Sequence, residues 1–426
     1  MLSVAACDHA GRVFPHNKRL AVGRAGNVFF ELSEADMLPL PEGATLMRLP
    51  GRTPVGINSS TGAFVESGPG EPLAAILPQG YTRTYLPAYT RQDGAPILPL
   101  FGYCAVALSG DELMVAAMRT DERSTWDPIN YNLPELPAMI HAALASLPEN
   151  RILRHLARCA REYGCFTAQN VFYRRWEGGI PVSPTCNADC VGCISKQSSE
   201  CCPSPQERID FVPTVDEVVE VALPHLQEAP DAIISFGQGC EGEPTCQYGV
   251  IAESCRRIRQ HTGEGTINVN TNAGNVRAIA EICDAGVDSL RVSMASARPQ
   301  FYVRYHRPTG YGLSDVERSI VHARSRGVFV SLNYLAFPGF SDLEPEVNAL
   351  SALVERCGVQ MIQIRNLNID PDVFMQTMSG QLGEAGGGGH EASSWGEPAG
   401  MAQVISYLHN SFPDLFIGNF SMPVHG

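Results

Sequence analysis

Three cysteines that lie close together in the stretch 185–195 are suited to metal chemistry. Cys186, Cys190 and Cys193 have the spacing C-x3-C-x2-C. Cysteine thiolates are the usual ligands of a 4Fe–4S cluster, which normally takes four of them. Three thiolates in one loop would hold three of the irons and leave the fourth iron open. An open metal position is where a substrate or cofactor coordinates.

Two other uses of these cysteines fit the sequence less well. A structural zinc site usually takes four ligands in two pairs, and no second C-x2-C or H-x3-H follows in the chain. A disulfide would leave one cysteine over and would need an oxidising compartment. The iron–sulfur interpretation is therefore preferred.

The loop resembles the cluster motif of the radical S-adenosylmethionine (radical SAM) superfamily, whose signature is C-x3-C-x2-C. The resemblance implies that S-adenosylmethionine chelates the open iron through its amino and carboxylate groups. It also implies that one electron from the reduced cluster cleaves the sulfonium, and that the resulting 5'-deoxyadenosyl radical takes a hydrogen atom from the substrate. At the position of Gly192, just before the third cysteine, the family often has an aromatic residue that packs near the adenine.

A second stretch resembles the family's Gly-Gly-Glu motif, which holds the methionyl amino group. The match is Gly242-Glu243-Pro244, with Glu241 where the family usually has its first glycine. Glycine lets the backbone approach a ligand closely, and a carboxylate can accept hydrogen bonds from an ammonium group.

Further candidate cofactor-binding residues lie on or just after the predicted strands, because sites in such sheets form at the carboxyl ends of the strands. In the family, a polar residue at the end of the fourth strand contacts S-adenosylmethionine, and Ser293 occupies that place. The remaining candidates are Asn270, Asn272, Asn333, Arg365 and Asn366. The basic group Arg304, His306 and Arg307 is either an anion-binding set or a solvated surface.

From about residue 179 onward, apolar strands alternate with amphipathic helices six times. Capping boxes begin several of the helices, as at Thr214–Glu217. This alternation predicts a parallel sheet with right-handed crossovers. The expected fold class is α/β, with a partial (β/α)6 TIM-like barrel, which is also the radical SAM core. The repeat alone would equally suit a doubly wound sheet.

The remaining segments suggest the domain organisation. Residues 1–165 are predicted to form a mainly β and helical domain of unknown function, with a hairpin of strands around 103–118. Residues 166–378 are assigned to the radical SAM core, 379–398 to a glycine-rich linker or loop, and 399–426 to a helix and a candidate last strand. The cysteines at 159 and 165 are interpreted as core residues.

The composition limits the partners and the compartment. The chain has 426 residues and a formal net charge of -14, which argues against nucleic acid and against an anionic membrane surface. No stretch resembles a signal peptide or is long and apolar enough to span a bilayer. The expected location is the cytoplasm, where the 14 cysteines stay reduced.

The sequence thus predicts a radical SAM enzyme that uses a 4Fe–4S cluster and S-adenosylmethionine, with flavodoxin or ferredoxin as the kind of reducing partner. Its substrate, a peptide or protein or a small metabolite, is left open. The alternative is a non-catalytic iron–sulfur electron carrier or sensor. A second cluster on Cys201, Cys202, Cys240 and Cys246 also stays open, although these residues lack a ligand-spacing motif.

Overall fold

The structure is a computed structural model that describes residues 1–196, 206–380 and 395–425. Most of the predicted glycine-rich linker, together with Cys201 and Cys202, lies outside these residues. Among the described helices, none is long and apolar enough to cross a membrane.

The first 119 residues form antiparallel sheets, as the sequence predicts. The largest sheet has ten strands, and two smaller sheets have three and two. The predicted hairpin is confirmed, because Ser109 pairs with Glu112 across its turn. The strands are β1 (Leu2–Cys7), β2 (Val13–Leu20), β3 (Val22–Ala25), β4 (Val28–Glu31), β5 (Leu38–Pro39), β6 (Thr45–Arg48), β7 (Arg52–Asn58), β8 (Phe64–Glu66), β9 (Glu71–Ile76), β10 (Tyr81–Arg83), β11 (Leu86–Pro87), β12 (Tyr89–Arg91), β13 (Tyr103–Ser109), β14 (Glu112–Val115) and β15 (Ala117–Arg119).

Three helices follow, α1 (Leu136–Ser146), α2 (Arg151–Glu162) and α3 (Phe166–Tyr173). Asn150 caps α2, since its side chain accepts a hydrogen bond from the Leu153 N–H at 3.0 Å. The buried faces of these helices share one continuous hydrophobic core with the barrel that follows. The helices therefore pack against the barrel as part of it.

The second half of the chain forms a parallel sheet of seven strands in sequence order. The sequence analysis predicted six strand–helix units. The seventh strand is the candidate strand near the end of the chain, and it pairs with β21. The strands are β16 (Glu177–Gly179), β17 (Ile233–Phe236), β18 (Thr266–Thr271), β19 (Ser289–Met294), β20 (Phe329–Ala336), β21 (Met361–Asn366) and β22 (Phe416–Gly418). The helices between and after them are α4 (Val215–Glu228), α5 (Tyr248–His261), α6 (Val276–Asp284), α7 (Pro299–His306), α8 (Leu313–Ser325), α9 (Glu344–Cys357), α10 (Pro371–Ser379) and α11 (Met401–Ser411). The sheet curls into a half-barrel, as the predicted partial barrel requires.

The two faces of this sheet differ in polarity. Apolar side chains such as Val292 and Leu332 belong to the core shared with the helices. The alternate positions carry polar side chains, which therefore point to the inside of the half-barrel. There Glu177 is 3.0 Å from the guanidinium of Arg291 and accepts a hydrogen bond from Ser235 at 2.6 Å. The inner face is thus a hydrogen-bonded polar lining.

The amino-terminal sheets dock against the carboxyl ends of β20 and β21. Arg52, whose side chain has no exposed area, makes an ion pair of 2.9 Å with Asp370. The Gly26 N–H donates to the Pro338 carbonyl at 2.9 Å. A Cβ at Gly339 would lie 1.7 Å from the Gly26 nitrogen, so the two turns meet backbone to backbone. The amino-terminal region therefore borders the edge of the sheet where a barrel of this kind holds its site.

Candidate functional site

The three cysteines of the predicted cluster motif come together in the loop after β16. Burial, followed by the nearby charges of Cys193 and Cys186, raises the pKa of the Cys190 thiol to about 12. Cys186 and Cys193 therefore lie close enough to Cys190 to affect its thiol. Metal ions remove the protons from such thiols, since only thiolates are ligands. Three converging cysteines fit the donor set of a 4Fe–4S cluster with one open iron.

His306, at the end of α7, hydrogen bonds to one of these sulfurs. Its Nδ1 lies 3.4 Å from Cys190 Sγ, and its Nε2 accepts the N–H of Ala295 at 3.2 Å. Burial lowers the pKa of His306 to about 3, so the ring is neutral and its proton is on Nδ1. The ring therefore donates to Cys190, and a solvated basic face is ruled out for this residue, which is 1% exposed.

A second sulfur also has donors beside it. Ser195 Oγ is 3.4 Å from Cys193 Sγ and accepts from the guanidinium of Arg208 at 2.7 Å. Another contact of the same guanidinium reaches Cys193 Sγ at 3.7 Å. Hydrogen bonds to cluster sulfurs are among the factors that set the reduction potential of a cluster. These contacts were not predicted from the sequence.

The glutamate motif is joined to the cysteine loop through the backbone. The Gly242 N–H donates to the Ser183 carbonyl at 2.7 Å, and the Glu243 N–H donates to the Thr185 carbonyl at 2.8 Å. A Cβ at Gly242 would lie 2.0 Å from the Thr185 oxygen, so only glycine permits this approach. Pro244 then begins a short 3-10 helix. The two motifs are neighbours in space although they are far apart in the sequence.

The Glu243 carboxylate is buried and fixed by hydrogen bonds. Its Oε1 accepts from Thr245 Oγ1 at 2.6 Å and from Thr271 Oγ1 at 2.5 Å. Within the described part of the chain, its Oε2 accepts one bond, from the Asn272 N–H at 2.8 Å. A carboxylate oxygen has two lone pairs, so Oε2 can accept one more donor. Burial raises the pKa of Glu243, so a nearby cation would stabilise its charged form.

Glu241 has a role that the sequence did not suggest. Its carboxylate is 4% exposed and accepts from the Val182 and Ser183 N–H groups at 2.8 and 2.9 Å. A third bond comes from the Gly237 N–H. Burial raises the pKa of Glu241 to about 8. The side chain therefore ties the end of β17 to the segment that leads into the cysteine loop.

The predicted asparagines on and after β18 lie beside the glutamate. The Asn272 side chain donates to Asn187 Oδ1, in the cysteine loop, at 2.6 Å. Asn270 Oδ1 accepts from Asn268 Nδ2 at 3.0 Å and so belongs to the polar lining of the barrel. Asn272 thus bridges the glutamate motif and the cysteine loop.

Ser293 and Asn333 are paired neighbours on β19 and β20. Both are partly exposed on the inner face of the sheet. They are therefore accessible to a molecule bound inside the half-barrel.

Arg365 and Asn366 contact the amino-terminal region. Asn366 Oδ1 accepts from the Arg83 N–H and its Nδ2 donates to the Tyr81 carbonyl, both at 2.9 Å. Arg365 donates to Gln79 at 3.2 Å. The side-chain amide of Asn366 is thus already used in holding β10 against the barrel.

The position of Gly192 is explained by a tyrosine from another element. A Cβ at Gly192 would lie 2.6 Å from the hydroxyl of Tyr305, which is 2% exposed. An aromatic ring therefore reaches this part of the loop from α7. A glycine in the loop leaves room for it.

Comparison with known proteins agrees with this geometry. Residues 180–349 match the model of the Radical SAM superfamily. The search of curated proteins gave no match.

Among solved structures, SuiB, methylornithine synthase and HydG show partial similarity to this chain. SuiB of Streptococcus suis bound to its precursor peptide SuiA is 9% identical, with a TM-score of 0.38, and the match covers 62% of this chain and 52% of that one. Methylornithine synthase (PylB) is 14% identical, with a TM-score of 0.38 and coverage of 66% and 78%. HydG, a maturase of the [FeFe]-hydrogenase, is 16% identical, with a TM-score of 0.34 and coverage of 58% and 63%.

The chain thus spans about half the length of SuiB. The family uses a 4Fe–4S cluster and S-adenosylmethionine. Residues 180–349 thus form a domain of the radical SAM superfamily.

Proposed function

We propose that this protein reductively cleaves S-adenosylmethionine at a 4Fe–4S cluster held by Cys186, Cys190 and Cys193, and so starts radical chemistry on a peptide, a protein or a small metabolite. The observation that carries the proposal is the contact between the two motifs. The Glu243 N–H bonds to Thr185, the residue directly before the first cysteine, at 2.8 Å. A carboxylate with a free acceptor position thus lies beside three converging thiols.

A cluster on these thiols supplies the electron for cleavage and an open iron for the amino acid part of S-adenosylmethionine. The chain's own residues bind and orient the cofactor. We assign Glu243, in the turn formed by Gly242 and Pro244, to the ammonium group. We assign Asn270, Asn272, Ser293 and Asn333 to other polar groups of the same molecule.

Arg365 and Asn366, also predicted as cofactor-binding residues, contact the amino-terminal region instead. Both amide atoms of the Asn366 side chain already hydrogen bond to the backbone of β10. Arg365 and Asn366 are therefore better placed to hold the amino-terminal region than to bind the cofactor. We therefore propose that the β-rich part of the amino-terminal region, which the first 119 residues form, makes one wall of the substrate cleft. In support, a Cβ at Gly102 would lie 3.1 Å from Asn366 Cβ, and one at Gly192 would lie 3.1 Å from the Asn368 carbonyl. The amino-terminal region and the cysteine loop thus approach the same segment.

The test is anaerobic incubation of the reconstituted, reduced protein with S-adenosylmethionine, followed by chromatography for 5'-deoxyadenosine. Dithionite, or flavodoxin or ferredoxin with its reductase, serves as the electron source. We expect product from the wild-type chain and none from a variant with Cys186, Cys190 and Cys193 changed to alanine. A non-catalytic iron–sulfur carrier would take up the electron and form no 5'-deoxyadenosine, and that result would refute the proposal.

A further inference from the structure

A second group of metal-binding side chains lies outside the site described above. His155 and Cys159 are on α2, and Cys240 is in the loop after β17. Their ligand atoms all lie within 4.8 Å of one another. His155 Nε2 and Cys159 Sγ are 3.4 Å apart. The sequence interpretation of Cys159 as an ordinary core residue did not foresee this grouping.

The fold holds these three residues in place from two sides. Residues four apart on a helix share one face, so His155 and Cys159 point the same way from α2. The Cys240 carbonyl accepts from the Ile209 N–H at 2.9 Å, and Glu241, the next residue, is fixed by its three backbone donors. The three ligand atoms therefore converge between two anchored segments.

The electrostatics of the group favour a cation. Cys159 is fully buried and Cys240 is 3% exposed. Hydrogen bonds from Cys240 and His155 lower the pKa of Cys159, while the same Cys159 contact and burial raise the pKa of Cys240. The two sulfurs and the imidazole nitrogen thus lie side by side in a buried space. Two thiolates, a neutral imidazole and a divalent cation would sum to zero charge, which burial favours.

We propose that His155, Cys159 and Cys240 bind a soft divalent metal ion, with Zn²⁺ as the best match, at a site separate from the three cysteines of the cluster motif. Thiolate and imidazole ligands suit zinc, and structural zinc sites are tetrahedral. The ion would pin α2 to the loop that presents Glu243.

The experiment uses the full chain with Cys186, Cys190 and Cys193 changed to alanine, so that no iron cluster absorbs light. The metal-free protein is titrated with Co²⁺ under anaerobic conditions. Tetrahedral thiolate coordination gives cobalt strong visible bands and a sulfur-to-cobalt charge-transfer band, and we expect about one ion per chain. Zn²⁺ should displace it and bleach the bands.

Matched variants then locate the ion. Cys159→Ala and Cys240→Ala should each abolish the bands, and His155→Gln should weaken them. Cys255→Ala should keep them, since Cys255 is equally buried but lies on α5 outside the group. Thermal unfolding with and without Zn²⁺ gives a second readout, in which the metal should raise the melting temperature only when Cys159 and Cys240 are both present.

Four results would overturn the proposal. The first is the absence of cobalt bands in the chain that keeps His155, Cys159 and Cys240. This result does not depend on whether the ligand variants fold. The second is binding that survives the change of Cys159 and Cys240 together. The third is a second iron–sulfur cluster, seen as about eight rather than four irons in the reconstituted wild-type chain. A Cys159–Cys240 disulfide in metal-free protein prepared under reducing conditions would equally exclude the ion.

Discussion

His306 Nδ1 lies 3.4 Å from Cys190 Sγ, and the direction of this hydrogen bond is set by Ala295, whose N–H occupies the other ring nitrogen. The contact joins α7 to a predicted cluster ligand. A donor at a cluster sulfur stabilises the reduced cluster, because reduction adds negative charge to the sulfurs. We therefore predict that His306 raises the reduction potential of a cluster bound there.

Replacing this donor should make the cluster harder to reduce. In His306→Phe the ring remains available to stack near Tyr302, whose ring centroid is 4.4 Å away, but the N–H is lost. One net hydrogen bond of 0.5–1.5 kcal/mol corresponds to about 20–60 mV for one electron, so the midpoint potential should fall by about that amount. A redox titration followed by electron paramagnetic resonance measures it. His409→Phe, on the exposed side of α11, is the control, and an unchanged potential in a folded, cluster-loaded His306→Phe chain would contradict the role.

Glu243→Gln should weaken S-adenosylmethionine binding without removing the cluster. The substitution keeps the shape of the side chain but removes the negative charge that we assign to the ammonium group. Hydrogen bonds to charged groups contribute 1.5–3 kcal/mol, so the dissociation constant should rise about 10- to 100-fold. Isothermal titration calorimetry on the oxidised, reconstituted protein measures the affinity. Glu253→Gln, an exposed change on α5, should leave it unaltered, and equal affinity in both variants would exclude Glu243 from the site.

Residue types and spacing were enough to predict the two motifs and a parallel α/β sheet, and the resemblance to the radical SAM superfamily favoured a partial barrel over a doubly wound sheet. The three cysteines lie within eight residues, and the strand–helix alternation is regular. A seventh strand completes the sheet because residues 416–418 pair with β21. No local sequence pattern predicts this pairing. The fold could be predicted because it repeats a local signal, whereas this pairing depends on the tertiary structure.

Most of the contacts that sequence reasoning missed join residues far apart in the chain. His306 is 116 residues from Cys190, and Glu241 reaches back 58 and 59 residues to the start of the cysteine loop. Cys159 and Cys240 meet only because α2 packs beside the loop after β17. Asn366 was selected by its place at a strand end, but the same edge of the sheet also receives the amino-terminal region. Position at a strand end therefore does not separate cofactor contacts from domain contacts.

Gly242→Ala adds only one methyl group but should disturb the cysteine loop strongly. The added Cβ would collide with the Thr185 oxygen at 2.0 Å and force apart the two backbone bonds between the motifs. We expect a clear loss of bound iron and sulfide after reconstitution, together with a lower melting temperature. Gly249→Ala is the matched control, since it lies on α5 in open space and should stabilise the helix by about 0.5–1 kcal/mol. Full iron content in Gly242→Ala would show that the close approach is not required.

Arg52→Ala should loosen the amino-terminal region from the barrel. The Arg52 guanidinium donates to the Pro50 and Pro96 carbonyls as well as pairing with Asp370, whose side chain is 1% exposed. Removing Arg52 leaves the buried Asp370 carboxylate with backbone donors from Leu98 and Asp372 but without its cation, and breaking a buried ion pair costs about 3–5 kcal/mol. Urea unfolding measures the loss, and Arg12→Ala, which breaks the exposed pair with Asp8, should cost less than about 1 kcal/mol. If Arg52→Ala unfolds at the wild-type urea concentration, the buried pair does not hold the two regions together. A different outcome is unfolding at a lower urea concentration with 5'-deoxyadenosine still formed but the substrate no longer bound. The amino-terminal wall would then serve substrate binding and not cleavage of the cofactor.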